Sequence, residues 1–143
     1  MKNKIFKKLF FVSVLLLSST YSNAELVVIV HPGNSLEAIT KDKLKRIYLG
    51  KNKEFPNGLI IAALDQEKES EEKEEFYKKV VGKSLSQVSA YWSRLIFTGK
   101  GVPPRVLAND KEIKSWVASH PESIAYINSE NADDSIKIIF DVK

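Results

Sequence analysis

Residues 94–126 read RLIFTGKGVPPRVLANDKEIKSWVASHPESIAY, and the succession of elements in this stretch decides the fold. A helix carrying Leu95 and Ile96 runs into Gly99-Lys100-Gly101 and then two prolines. Asn109, with Glu112 three residues on, starts a second helix whose apolar contacts are Ile113, Trp116 and Val117. His120-Pro121 stops it, because the residue before a proline is pushed out of the helical region. Ile124–Ile127 is then a short apolar strand. Helix, loop, helix and strand in this order are the pieces of an α/β domain.

Working outward, Ser84-Leu85-Ser86-Gln87 has the spacing of a capping box and opens the helix that ends at Gly99. Val88, Trp92, Leu95 and Ile96 are its expected inner face. Upstream, Glu67–Lys79 holds six Glu and four Lys, the pattern of a solvated helix face. Phe76, Tyr77, Val80 and Val81 give that helix its apolar side, and Gly82 ends it. Thr40 caps an earlier helix carrying Leu44, Ile47 and Tyr48, with Gly50 where a C′ glycine ends a helix. Leu26–His31 (LVVIVH) and Leu59–Leu64 (LIIAAL) predict buried strands, the second after a Pro56-Asn57-Gly58 turn. At the other end Ile136, Ile138, Phe140 and Val142 alternate with Lys137, Ile139 and Asp141, which predicts a strand with one buried face. The order is β-α-β-α-α-α-β-β. Without a repeat or a dividing linker, residues 25–143 are expected to form one domain.

Residues 1–24 are expected to be a secretory signal peptide. Lys2, Lys4, Lys7 and Lys8 form a basic start, Leu9–Leu17 an apolar run, and Ser22-Asn23-Ala24 a small-x-small cleavage site. The run is too short to span a bilayer. Cleavage changes the charge balance: 22 basic against 18 acidic residues in the whole chain becomes 18 against 18. A near-neutral product gives no reason to expect nucleic acid or an acidic membrane as partner. The expected location is the periplasm or the cell exterior.

With no cysteine, disulfides, thiolate metal sites and a cysteine nucleophile are excluded. His31 and His120 lie far apart, and neither has a second ligand at metal spacing. No serine sits in a nucleophile elbow, and no catalytic signature is present. Thr98-Gly99-Lys100-Gly101 reads either as a helix C-cap followed by a turn or as a small anion-binding nest of backbone N–H groups. It is not a P-loop, because Gly rather than Ser or Thr follows Lys100.

Several of these segments, taken in order, resemble the periplasmic phosphate-binding proteins of ABC transporters. They are Ile47-Tyr48-Leu49-Gly50-Lys51, the strand 59–64, Trp92, Gly99-Lys100-Gly101 and Pro121-Glu122-Ser123-Ile124-Ala125-Tyr126. The resemblance covers nearly all of 25–143 and matches the second lobe of that family and its short single-lobe forms. It implies a single lobe of a type 2 periplasmic-binding-protein-like fold, a small mixed sheet flanked by helices. It also implies a ligand loop of the form R-x-D-G-S-G-T at a helix start. With Phe76 matched to the aromatic of the following helix, Ser70 falls on the serine, Glu71 on the glycine, Glu72 on the threonine, and Gln66 near the arginine. The implied ligand-binding residues are thus Ser70 and Gln66, with Lys100 and Arg105 as supporting cations. The implied partners are a small anion such as phosphate and an ABC permease or envelope protein. A lone lobe offers half a cleft, so a homodimer is also expected. No cofactor, metal or enzymatic activity is implied. Two added glutamates and a lost guanidinium are expected to weaken phosphate binding. A protein that kept the fold and lost the ligand, acting as a periplasmic accessory module, is the other reading.

Overall fold

The computed structural model describes residues 25–143, and the expected signal peptide at 1–24 lies outside the described residues. The elements are β1 (Leu26–Val30), α1 (Lys41–Tyr48), β2 (Ala62–Gln66), α2 (Glu71–Phe76) continued by a π-helical turn (Tyr77–Val81), α3 (Leu85–Phe97), β3 (Arg105–Leu107), α4 (Asp110–Ser119), β4 (Ser123–Asn128) and β5 (Lys137–Asp141). The helix starts follow the sequence signals. Thr40 and Asn109 accept from backbone N–H groups three residues on, and Ser84 and Gln87 form the reciprocal capping box. Gly82, at φ 73°, ends the π-helical turn in the left-handed region.

The five strands form one mixed sheet in the order β3-β2-β4-β1-β5. β2 runs parallel to both β3 and β4, while β1 is antiparallel to β4 and to β5. All five residues of β1 and five of the six in β4 are buried, as a central pair covered on both faces must be. One face carries Val28, Val30, Ile124 and Tyr126 against α1, the π-helical turn and α3. The other carries Val27, Ile29, Ala125 and Ile127 against Ile113 and Val117 of α4.

Four expectations need correction. First, the strand expected at 59–64 is displaced to 62–66. Leu59 and Ile60 belong to a small turn, where Phe55 N–H donates to Leu59 O and Ile60 bridges Glu54. The strand proper extends to the polar Asp65 and Gln66, because pairing with β3 carries it there. Second, Arg105–Leu107 is a strand that the three-residue length and flanking prolines concealed. Third, the alternation in β5 breaks. The register against β1 shifts between Val28 and Ile29, leaving Ile139 as the extra residue. Ile139 is therefore buried on the α1 side, Ile136 faces α4, and Ile138 is exposed. Fourth, Ile96 is exposed rather than on the inner face of α3.

Candidate functional site

The connections out of the parallel strands place a crevice. The chain leaves β2 for α2 and α3 on one face of the sheet, and leaves β3 for α4 on the other. Where neighbouring strands send their helices to opposite faces, a gap opens beyond their carboxyl ends, and ligands of open α/β sheets bind there. The gap is a concavity of about 680 Å³ whose lining includes Gln66, Ser70, Glu72, Asp110, Lys111 and Lys114.

Ser70 caps α2, its oxygen accepting from Lys73 N at 3.2 Å. Its hydroxyl lies 2.8 Å from Gln66 Oε1 and 2.9 Å from Glu72 Oε2, and its single proton serves one of them at a time. Gln66 Nε2 donates to Asp110 Oδ1 at 3.0 Å and to the carbonyl of Tyr126 at 3.1 Å. The other oxygen of Asp110 accepts from Asn128 N at 2.9 Å and Asn131 Nδ2 at 2.8 Å. Every polar atom of the Gln66 side chain is thereby committed within the chain. Of the crevice cations, Lys114 is paired with Asp133 at 2.8 Å. The crevice thus presents two carboxylates, Glu72 and Asp110, beside its hydroxyl and amide, with Lys111 and Lys114 on the α4 side.

Asp65 sits beneath this floor, buried and fully partnered. Its Oδ1 accepts from Tyr126 OH at 2.5 Å and from Gln66 N at 2.9 Å, and its Oδ2 accepts from Tyr77 OH at 2.7 Å. Lys73 Nζ stands 3.5 Å from the same Oδ2. Burial first, then the negative charge of Asp65, push the phenols of Tyr48, Tyr77 and Tyr126 well above the usual value. Both tyrosines bonded to Asp65 therefore remain donors, and the cluster holds the end of β2 against β4 and the π-helical turn.

The four residues that the sequence nominated do not come together. Ser70 and Gln66 meet in the crevice, but Lys100 and Arg105 line a second, larger concavity of about 850 Å³ that neither Ser70 nor Gln66 touches. The Arg105 guanidinium stands over the ring of Trp116, 4.1 Å from its centroid, and that ring stacks on His120 at 4.0 Å. The nest reading of 98–101 also fails for three of its N–H groups. Thr98 N donates to Arg94 O, Gly99 N to Ile96 O and Lys100 N to Leu95 O, which is a helix C-cap. Sequence reasoning missed Asp110 and Asp65. The available signal was that Asp65 directly follows the apolar run Leu59–Leu64.

No protein-family model matches the sequence, and no curated protein matches it. Solved structures do. An ABC-type phosphate transport receptor from Vibrio cholerae is 19% identical with a TM-score of 0.65, over 80% of this chain and 45% of that one. A putative phosphate ABC transporter substrate-binding protein with bound phosphate, from Clostridium perfringens, is 22% identical with a TM-score of 0.67, over 80% and 44%. PstS from Borrelia burgdorferi is 16% identical with a TM-score of 0.63, over 80% and 46%. The chain spans less than half the length of these proteins, and at such identities the likeness is one of fold. Its α/β architecture is that of a single lobe of the periplasmic-binding-protein type, with phosphate ABC transporter substrate-binding proteins as structural neighbours.

Proposed function

We infer that this chain is an exported, non-enzymatic protein of the solute-binding type, built as one lobe, whose Ser70–Gln66 crevice holds phosphate weakly or not at all. The observation carrying this reading is the closed hydrogen-bond circuit Ser70–Gln66–Asp110. A phosphate entering the crevice would need donors, and the Gln66 amide already gives its N–H groups to Asp110 and Tyr126. It would also approach the carboxylates of Glu72 and Asp110. A neutral amide offers neither the charge nor the two-pronged geometry of an arginine. Support for export comes from residues 1–24 as read in the sequence.

An ABC permease partner or a homodimer fits this reading, since half a cleft encloses a small anion only with a second surface. The same closed circuit favours a second reading, an envelope accessory module that kept the fold after losing the ligand. Fold does not fix function, so the ligand must be tested directly. Isothermal titration of the purified protein with phosphate and sulfate is expected to give no saturable heat below millimolar concentration. Micromolar phosphate binding would overturn the reading.

A further inference from the structure

The second concavity lies among residues 50–53, 60–63 and 99–105, on the α3 side of the sheet. Its floor is apolar, formed by Ile47, Leu49, Ile61, Ala63, Trp92 and Leu95. Lys51, Lys53 and Lys100 stand on its rim, all exposed, and no Asp or Glu lines it. None of the three lysines takes part in an ion pair among the described residues. Two apolar side chains of its lining stand open to solvent: Ile60 is 63% exposed and Val102 86%. Exposed apolar clusters with a polar rim mark places where something binds. The floor is firm, because Gly50 and Gly101 let the loops close directly on the Trp92 ring and Tyr91 OH donates to Leu49 O at 2.6 Å. Arg105, on the margin, begins β3, whose outer edge has no strand partner among the described residues.

We propose that this groove is a docking site for an extended, acidic and apolar peptide segment of a partner protein. Three unpaired lysines around an apolar trough complement carboxylates spaced along a chain whose other side chains are buried. A free strand edge at one margin suits an extended backbone. The exposed Ile60 and Val102 widen the surface beyond what a small anion would cover. The proposal is independent of the Ser70 crevice: phosphate titration tests that site, and the groove stands or falls on a different measurement.

The probe is a labelled dodecapeptide alternating Glu with Leu and Phe, compared with a counterpart bearing Lys for every Glu. With the full chain produced by export and purified, the acidic peptide is expected to bind at least tenfold tighter than the basic one, with affinity falling as salt rises. Amide resonance shifts should fall on Lys51, Lys53, Gly101 and Val102 and leave Gln66 and Ser70 unmoved. The combined K51E, K53E and K100E exchange should reverse the preference. The milder K51Q, K53Q and K100Q set should only abolish it, which guards against a folding defect in the first variant. Equal affinity for both peptides, shifts centred on Ser70, no saturation up to millimolar peptide, or tighter capture of dodecanoate than of the peptide would each overturn the proposal.

Discussion

A Cβ placed on Gly50 would stand 3.0 Å from Cη2 of Trp92, tighter than nine in ten Cβ contacts in folded proteins. Gly101 comes nearly as close, its added Cβ falling 3.2 Å from Cζ3 of the same ring. Three segments that looked like separate motifs in the sequence, around residues 50, 92 and 101, are thus one packing unit. Their glycines make room for an indole.

Gly50→Ala is therefore expected to destabilise the protein by two effects. The residue sits at φ 69°, in the left-handed region, where a side chain costs about 1–2 kcal/mol. Overpacking against Trp92 adds roughly 1–3 kcal/mol. Gly82→Ala supplies the control, because φ there is 73° but an added Cβ meets nothing within 4 Å. Urea midpoints should fall further for the first variant than for the second. Equal losses would show that the contact with Trp92 carries no weight.

The two tryptophans should respond unequally. Trp92 is buried in the larger core cluster, so Trp92→Ala should cost about 3–5 kcal/mol. Trp116 is only half-buried, lying between His120 and the Arg105 guanidinium. Its removal should cost nearer 1–2 kcal/mol, through lost stacking and cation–π attraction. Denaturant unfolding of both variants checks the ranking, and a reversed order would mean that the packing on α4 has been misjudged.

Stability should fall in alkali. The phenols of Tyr48, Tyr77 and Tyr126 are raised above their usual 10.0 in the folded protein. Below pH 10 both the folded and unfolded chains keep these protons, and the contribution is complete. Above it the unfolded chain ionises while the folded one does not. Stability then drops toward about 1.4 kcal/mol per pH unit for each tyrosine. Unfolding free energies measured from pH 8 to 11 should be level at first and then decline, and Tyr77→Phe should flatten the decline. A profile level through pH 11 contradicts the buried cluster around Asp65.

Glu72→Thr is expected to raise phosphate affinity. It removes a carboxylate whose oxygen lies 2.9 Å from the Ser70 hydroxyl, leaving Gln66 Oε1 at 2.8 Å as the acceptor that a ligand must displace. A charge about 4 Å from phosphate opposes binding by roughly 1–4 kcal/mol, and about 1.4 kcal/mol is tenfold. Calorimetry on this variant and on Glu71→Gly, whose side chain is exposed and outside the crevice lining, should show the gain mainly in the first. No gain in either would mean that the neutral amide of Gln66, not the charge of the carboxylates, limits binding.

Export can be checked by mass. The exported protein should begin at Glu25 if Ser22-Asn23-Ala24 is the cleavage site. A product that retains Met1 rules out that processing.

Local chemistry made much of this protein legible in its sequence. Thr40, Ser84 and Asn109 cap helices because a short oxygen-bearing side chain reaches backbone N–H groups a few residues ahead, whatever surrounds it. Val27–Val30 and Ile124–Ile127 are strands at the sheet centre because only two-sided burial suits such continuous apolar runs. What sequence periodicity did not contain was decided between elements distant in the chain. The bulge opposite Val28 and Ile29 turned Ile139 inward and Ile138 outward, an outcome set by pairing with β1. Asp65 and Gln66 became buried because tyrosines from the π-helical turn and β4 and a carboxylate from α4 reach them from up to 61 residues away. Lys100 and Arg105 were separated from Ser70 by the sheet topology, which sends the loop after α3 to the opposite ends of the strands. Hydrogen-bond partners and the shape of a crevice depend on three-dimensional neighbours, and one chain read along its length does not specify them.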